Sequence, residues 1–150
     1  MSSPQPQSID ILEHLIAFDT TSHLSNLNLV HFIRDYLADL GVACELVFDD
    51  SGEKANLYAT IGPDDRGGIA LSGHTDVVPI DGQQWDTDPF HLERKGTRLY
   101  ARGTADMKAF IAVCLSLVPQ MLNRNLRVPI HLVFSYDEEI GCLGVRRLIE

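Results

Sequence analysis

The feature that most constrains this chain is a long helical segment, Met107 to Met121, apolar nearly all the way round and set between two short apolar runs. With Phe110, Ile111, Val113, Cys114, Leu115, Leu117 and Val118 spread around its circumference, this helix has little polar face to offer water, so it must lie beneath a sheet and other helices. The flanking runs, Gly68-Ile69-Ala70-Leu71-Ser72 and Ile130-His131-Leu132-Val133-Phe134-Ser135, are too short for helices and read as fully buried strands of a sheet covered on both faces. Strand, buried helix, strand is a crossover unit. The chain is therefore expected to be an α/β protein with a mostly parallel sheet flanked by helices.

The rest of the pattern agrees. Ser8 is placed to cap a helix over Ile9 to Phe18, with an apolar stripe at Ile9, Leu12, Leu15 and Ile16. A second helix is predicted over Leu27 to Leu40, where Leu29, Val30, Phe32, Ile33, Tyr36 and Leu37 recur at helical spacing and Gly41 supplies a left-handed cap. Val42 to Phe48 and Asn56 to Ile61 read as strands about the turn Asp49-Asp50-Ser51-Gly52. No repeat or linker interrupts the 150 residues, which suits one domain or part of one. Met1 to Gln7 carries no basic residue and leads into no apolar signal core, so a frayed start and a cytoplasmic protein are expected. The final stretch, Gly144 to Glu150, is helical in pattern and stops without a cap, as a fold cut short would.

Charge narrows the function. There are 21 Asp and Glu against 12 Lys and Arg, a formal net charge of −9, which disfavours sequence-independent binding to nucleic acid or anionic membrane. The longest apolar region, Phe110 to Val118, is broken by Ser116 and is far shorter than a bilayer span. Cys44, Cys114 and Cys142 form neither a Cys-x-x-Cys pair nor an even set, so reduced, buried thiols are expected.

In open α/β sheets reactive groups collect beyond the carboxyl ends of strands. After the first apolar run comes Gly73-His74-Thr75-Asp76, an imidazole and a carboxylate on one loop; after the second comes Tyr136-Asp137-Glu138-Glu139, three consecutive carboxylates. Like charges so crowded raise one another's pKa unless a counter-charge is present, and no Lys or Arg lies in that run. A divalent cation would supply the charge. Asp106, delivered through Gly103 at the start of the buried helix, is a third element, at equal intervals from His74 and Glu138. Each interval accommodates a βα crossover, which sets successive strand ends side by side. Singly, these are a hydrogen-bonded pair, a solvated helix start and an N-cap; together, imidazole and carboxylates form the donor set of zinc and similar ions.

The segments SGHTDVVP, GRGTADMK and DEE, in this order and spacing, resemble the acetylornithine deacetylase and succinyl-diaminopimelate desuccinylase family of two-metal aminoacylases and peptidases, over about Ile9 to Glu150. Within it, DGQQWDTDPF followed by LYARGTADMK is most similar to members that deacetylate N-acetylornithine. The resemblance implies a metallo-aminopeptidase-like catalytic domain holding two divalent ions, with zinc first and cobalt or manganese also suited. His74 would be a terminal ligand of one ion, Asp106 the bridging carboxylate and Glu139 a ligand of the second. Asp76 would bind the far nitrogen of His74 and fix its tautomer. Glu138 would be the general base that takes a proton from the attacking water and returns it to the departing amine. A cis peptide bond after the bridging aspartate, Asp106-Met107, is implied as well.

The implied reaction turns N-acetylornithine into ornithine and acetate for arginine synthesis, with a small-molecule N-acyl amino acid as the partner. Succinyl-diaminopimelate, another N-acyl amino acid or a dipeptide is the alternative substrate; an inactive truncated metal-binding or interaction module is the alternative of another class. Family members are more than twice as long, and the resemblance places further acidic and histidine ligands and a lid or dimerisation domain after position 150. Residues 1–150 are thus expected to be the N-terminal part of one catalytic domain, homodimeric at full length and inactive alone. Ala109 stands where the family usually has Gly. His14, His31, His91 and His131 are assigned structural or surface roles. Trp85, Pro89 and Phe90 suggest either a flap or core packing, and Arg102 and Lys108 either support for the carboxylates, attraction of a substrate carboxylate or, for Lys108, a surface position.

Overall fold

The computed structural model describes residues 5–149. Helices α1 (Gln5–Ile16) and α2 (Leu27–Asp39) come first, then strands β1 (Cys44–Phe48), β2 (Ala55–Ile61) and β3 (Ile69–His74). A small hairpin, β4 (Glu93–Lys95) and β5 (Arg98–Tyr100), leads to α3 (Lys108–Leu122), β6 (Ile130–Ser135) and the short α4 (Arg146–Ile149). The first helix starts earlier than a Ser8 cap allows, with Ser8 inside it, and the expectation for Met1 to Pro4 lies outside the described residues. The second ends as predicted, at Leu40 with Gly41 at φ 78°.

The α/β architecture stands, with one correction: the main sheet is mixed rather than mostly parallel. Its order is β1-β2-β6-β3, and only β3 and β6 run parallel. Short apolar runs report burial but not direction. The direction is set by connections: a tight turn through Gly52 at φ 74° makes β1–β2 a hairpin, while α3 carries the chain from β3 back to a parallel β6. Edge position also overturns the expectation that β3 is fully buried. Ile69 is 57% exposed and Ala70 and Ser72 are exposed; only Gly73 and His74, at the carboxyl end, are buried.

Alternate residues decide the layers. Leu57, Ala59, Ile61, Leu132 and Phe134 join Leu15, Ile16, Ile33, Leu37, Ile111, Leu115 and Val118 in one core, so α1, α2 and α3 cover a single face of the sheet. The opposite row includes Tyr58, Thr60 and His131, where the Tyr58 hydroxyl and the His131 Nδ1 lie 2.7 Å apart. His131 has a structural role there, and His14 stacks on Phe32 at 5.4 Å. Of the thiols, Cys114 is buried, Cys44 half-buried and Cys142 exposed, all reduced; burial of all three is not seen. Among the described residues no helix is long and apolar enough to cross a membrane.

Candidate metal centre

The parallel register sets His74 beside Ser135, so the loops leaving β3 and β6 start side by side. The first is pinned from three directions. Thr75 N donates to Ser135 O at 2.7 Å, the Thr20 hydroxyl donates to Thr75 O at 2.6 Å, and Asn26 Nδ2 donates to the Thr75 hydroxyl at 2.9 Å. Val77 N and O then bond Thr20 and Ser22. The Asn26 amide also takes both backbone groups of Ala55, tying the start of α2 to the start of β2.

Asp76 lies at the centre of this arrangement, with its side chain 2% exposed. Its carboxylate accepts from the Ser22 hydroxyl at 2.7 Å, Glu138 N at 3.0 Å and Glu139 N at 3.2 Å. Burial works to raise its pKa, but His74, Ser22 and the two amides together hold it below the usual carboxylate value. The expectation for Asp76 needs a correction of atom. The closer acceptor for His74 Nδ1 is the Asp76 backbone carbonyl, at 2.9 Å, while the carboxylate stands at 3.5 Å because it is committed to the Glu138–Glu139 turn. The tautomer is fixed all the same: Nδ1–H donates inward, and Nε2 points at Asp106 Oδ1, 3.0 Å away. Burial pulls the His74 pKa down, and the Asp76 and Asp106 carboxylates more than reverse it, raising it to about 9.

Asp106 comes from the turn before α3. Gly103 has φ 85°, and a Cβ there would sit 2.9 Å from Val77 Cγ1, so the turn needs glycine for both conformation and space. Asp106-Met107 is a cis peptide bond, as the resemblance implied. Lys108 is neither a surface group nor a partner of the carboxylates. It is fully buried and donates to Leu15 O at 3.0 Å and Phe18 O at 2.7 Å at the end of α1; burial lowers its pKa to about 8. Arg102 lies over Trp85 with 5.2 Å between guanidinium carbon and ring, and bonds Gln83; Trp85 is outside the hydrophobic core.

The acidic run is split. Asp137, at φ 53°, points its carboxylate at Lys54 Nζ, 2.6 Å away, so part of the charge that called for a cation is already met by a lysine distant in sequence. Glu138 and Glu139 face the other way. Glu139 has its pKa raised by burial and by the negative charge of Asp106. Glu138 Oε2 lies 3.9 Å from His74 Nε2, and the Cys142 thiol faces Glu138 Oε1 at 3.6 Å. His74, Asp106 and Glu139 each offer one ligand atom, and these atoms lie within 4.8 Å of one another. One imidazole nitrogen and two carboxylate oxygens, with unsatisfied negative charge between them, fit a divalent cation. Ser22, Lys54 and Asp137 are the supporting residues that spacing did not reveal. Ser22 and Lys54 stand in segments with no local motif, and Asp137 adjoins in sequence the glutamates it turns away from.

Fold and side chains together define an α/β domain that gathers His74, Asp106 and Glu139, a set that could hold a metal ion, beside the carboxyl ends of two adjacent parallel strands. The family model for peptidase family M20/M25/M40 matches residues 70–150, which contain His74, Asp76, Asp106, Glu138 and Glu139, and the chain belongs to that family. It is similar to acetylornithine deacetylase of Pasteurella multocida (strain Pm70), 37% identical over an alignment of 152 residues that covers 97% of this chain and 40% of that protein. The acetylornithine deacetylase of Buchnera aphidicola subsp. Schizaphis graminum is 34% identical, with 97% and 39% covered. Among solved structures, human carnosine dipeptidase 1 superposes with a TM-score of 0.82 at 25% identity, over 97% of this chain and 35% of that one. The M20 family metallo-carboxypeptidase Sso-CP2 from Sulfolobus solfataricus shares the fold at 0.82 and 24% identity, over 95% and 33%. The chain thus spans about 40% of the length of the curated relatives it matches.

Proposed function

We propose that this chain supplies the metal-binding and proton-transfer part of a metal-dependent amidohydrolase that removes the acetyl group from N-acetylornithine. The observation that carries the reading is the convergence of His74 Nε2, Asp106 and Glu139 within 4.8 Å, beside a Glu138 carboxylate whose Oε2 lies 3.9 Å from His74 Nε2. His74, Asp106 and Glu139 would hold zinc or similar ions, with Asp106 as the ligand that two ions would share. A bound divalent cation supplies acidity to a water and polarises the acyl carbonyl.

The chain's own residues do the rest. Nδ1–H donation to Asp76 O keeps His74 Nε2 turned outward. Asp76 holds the backbone of Glu138 and Glu139 through both amides, which fixes where the two side chains start. Glu138 takes a proton at Oε2 from the attacking water and returns it to the amine nitrogen as the amide bond breaks. A cleft of about 250 Å³, lined by Gly73, His74, Met107, Glu138, Cys142 and Val145, opens beside these groups and offers an apolar bed for a small acyl group.

Three ligand side chains are few for two ions, so the remaining ligands and the dimer-forming lid are assigned to sequence beyond residue 150, and the 150-residue chain alone is proposed to turn over no substrate. The test joins this chain to the part of the Pasteurella multocida relative that it does not span, and loads the product with zinc. Ornithine release, lost at least a hundredfold in Glu138→Gln at unchanged metal content, supports the proposal. Release only from N-succinyl-diaminopimelate or dipeptides would move it to the alternative substrates, and equal rates with Glu138→Gln would remove the assigned base.

A further inference from the structure

The hub of the supporting network lies outside the ligand set. Lys54 stands at the threshold of β2 with its side chain 16% exposed, and its ammonium donates to two groups from different parts of the chain. One is Asp137 Oδ1, at 2.6 Å; the other is Ser22 O, at 2.5 Å. Ser22 in turn gives its hydroxyl to Asp76, the residue that accepts the amides of Glu138 and Glu139. The backbone of Lys54 is itself fixed, exchanging bonds with Asp49 on both sides of the β1–β2 turn.

We propose that Lys54 is a positioning residue: through Asp137 it sets the direction in which the chain leaves β6, and so aims Glu138 and Glu139 at His74 and Asp106. The proposal deepens the metal-site reading and rests on it for its functional meaning. Asp137 adopts a left-handed conformation, φ 53°, one that Asp tolerates better than most residues but that still needs holding. Its carboxylate is nearly buried, 11% exposed, and is held by Lys54; its carbonyl accepts from Leu143 N at 3.0 Å. With the side chain tethered on one side and the carbonyl on the other, the next two peptide groups can present their N–H bonds only to Asp76. Remove the ammonium and the Asp137 carboxylate must turn toward water. The Glu138 amide lies one bond further along and moves with it.

A buried ion pair can also be simply a structural element, and the two roles part in a double variant. Losing one partner orphans a charge and destabilises strongly, whereas replacing both partners leaves none orphaned. Lys54→Met, Asp137→Asn and the combination of the two are compared with wild type by residue-resolved amide exchange, urea unfolding and cobalt(II) titration followed by visible absorption. In Lys54→Met the amides of Glu138 and Glu139 are expected to exchange at least tenfold faster relative to those of Leu132 and Phe134, and cobalt to bind at least tenfold more weakly. In the double variant stability recovers while the two amides stay fast, because the tether is still missing.

If the amides of Glu138 and Glu139 regain wild-type protection along with stability in the double variant, Lys54 is only a structural partner and the proposal falls. Should Lys54→Met fail to fold, the double variant carries the same comparison. If wild type binds no cobalt while the amides respond as expected, the positioning role stands and the metal reading is the one that fails.

Discussion

The two segments that bring ligands to the centre are built in opposite ways. The 73–77 loop is buried and bonded on every side: His74, Thr75 and Asp76 answer to the 20–26 segment, to Ser135 and to the Glu138–Glu139 turn. The 101–107 turn is as tight in its backbone, through Gly103, yet ends in an Asp106 side chain that is 74% exposed and meets the pinned loop at His74 Nε2, 3.0 Å away. One half of the donor set is therefore organised before any ion arrives. The other half is a carboxylate on a rigid stalk, which an ion can draw in at little structural cost.

That contrast can be broken in several ways. The largest expected effect is at Asp76, where Ala would leave two amides and a hydroxyl short of their acceptor in a buried site; a loss of roughly 3 kcal/mol is expected in urea unfolding. Gly103→Ala should cost about 2 kcal/mol by the same measurement, since it adds a methyl against Val77 at a positive φ, and would show that the Asp106 stalk is rigid although its tip is free.

The pH effect at His74 is spread over a window rather than set by one substitution. Its folded pKa lies above the ordinary 6.5, at about 9, so the stability gained from the charged ring is fully present below pH 6.5 and is lost as pH rises through about 9. The metal-free chain should weaken across that window by at most about 1.4 kcal/mol per pH unit. His74→Gln should flatten the slope. Metal affinity should move in the opposite direction, rising over the same window, because Nε2 must give up its proton to become a ligand.

Much of this was legible in the sequence because the strand-to-loop transitions carry it. His74 and the two glutamates follow apolar runs directly, Asp106 follows a glycine turn, and the structure gathers His74, Asp106 and Glu139 at one end of the sheet. What could not be read was anything decided by a distant partner. β3 reads as fully buried because its composition is apolar, but edge or centre depends on which strands lie beside it. Lys108 reads ambiguously because a lysine at a helix start is usually solvated, and its burial is explained by the Leu15 and Phe18 carbonyls at the end of α1. The acidic run was treated as one charge problem, although Lys54, 83 residues before Asp137, had already settled a third of it.

The most direct test of the central claim is zinc binding by the 150-residue chain, wild type beside Asp106→Ala, measured by equilibrium dialysis with unfolding curves on the same samples. Zinc held by wild type and lost in Asp106→Ala, with the two unfolding curves superimposed, is the predicted result: a pinned half and a free half completing one site. Equal zinc binding in both proteins, or in neither, would contradict it.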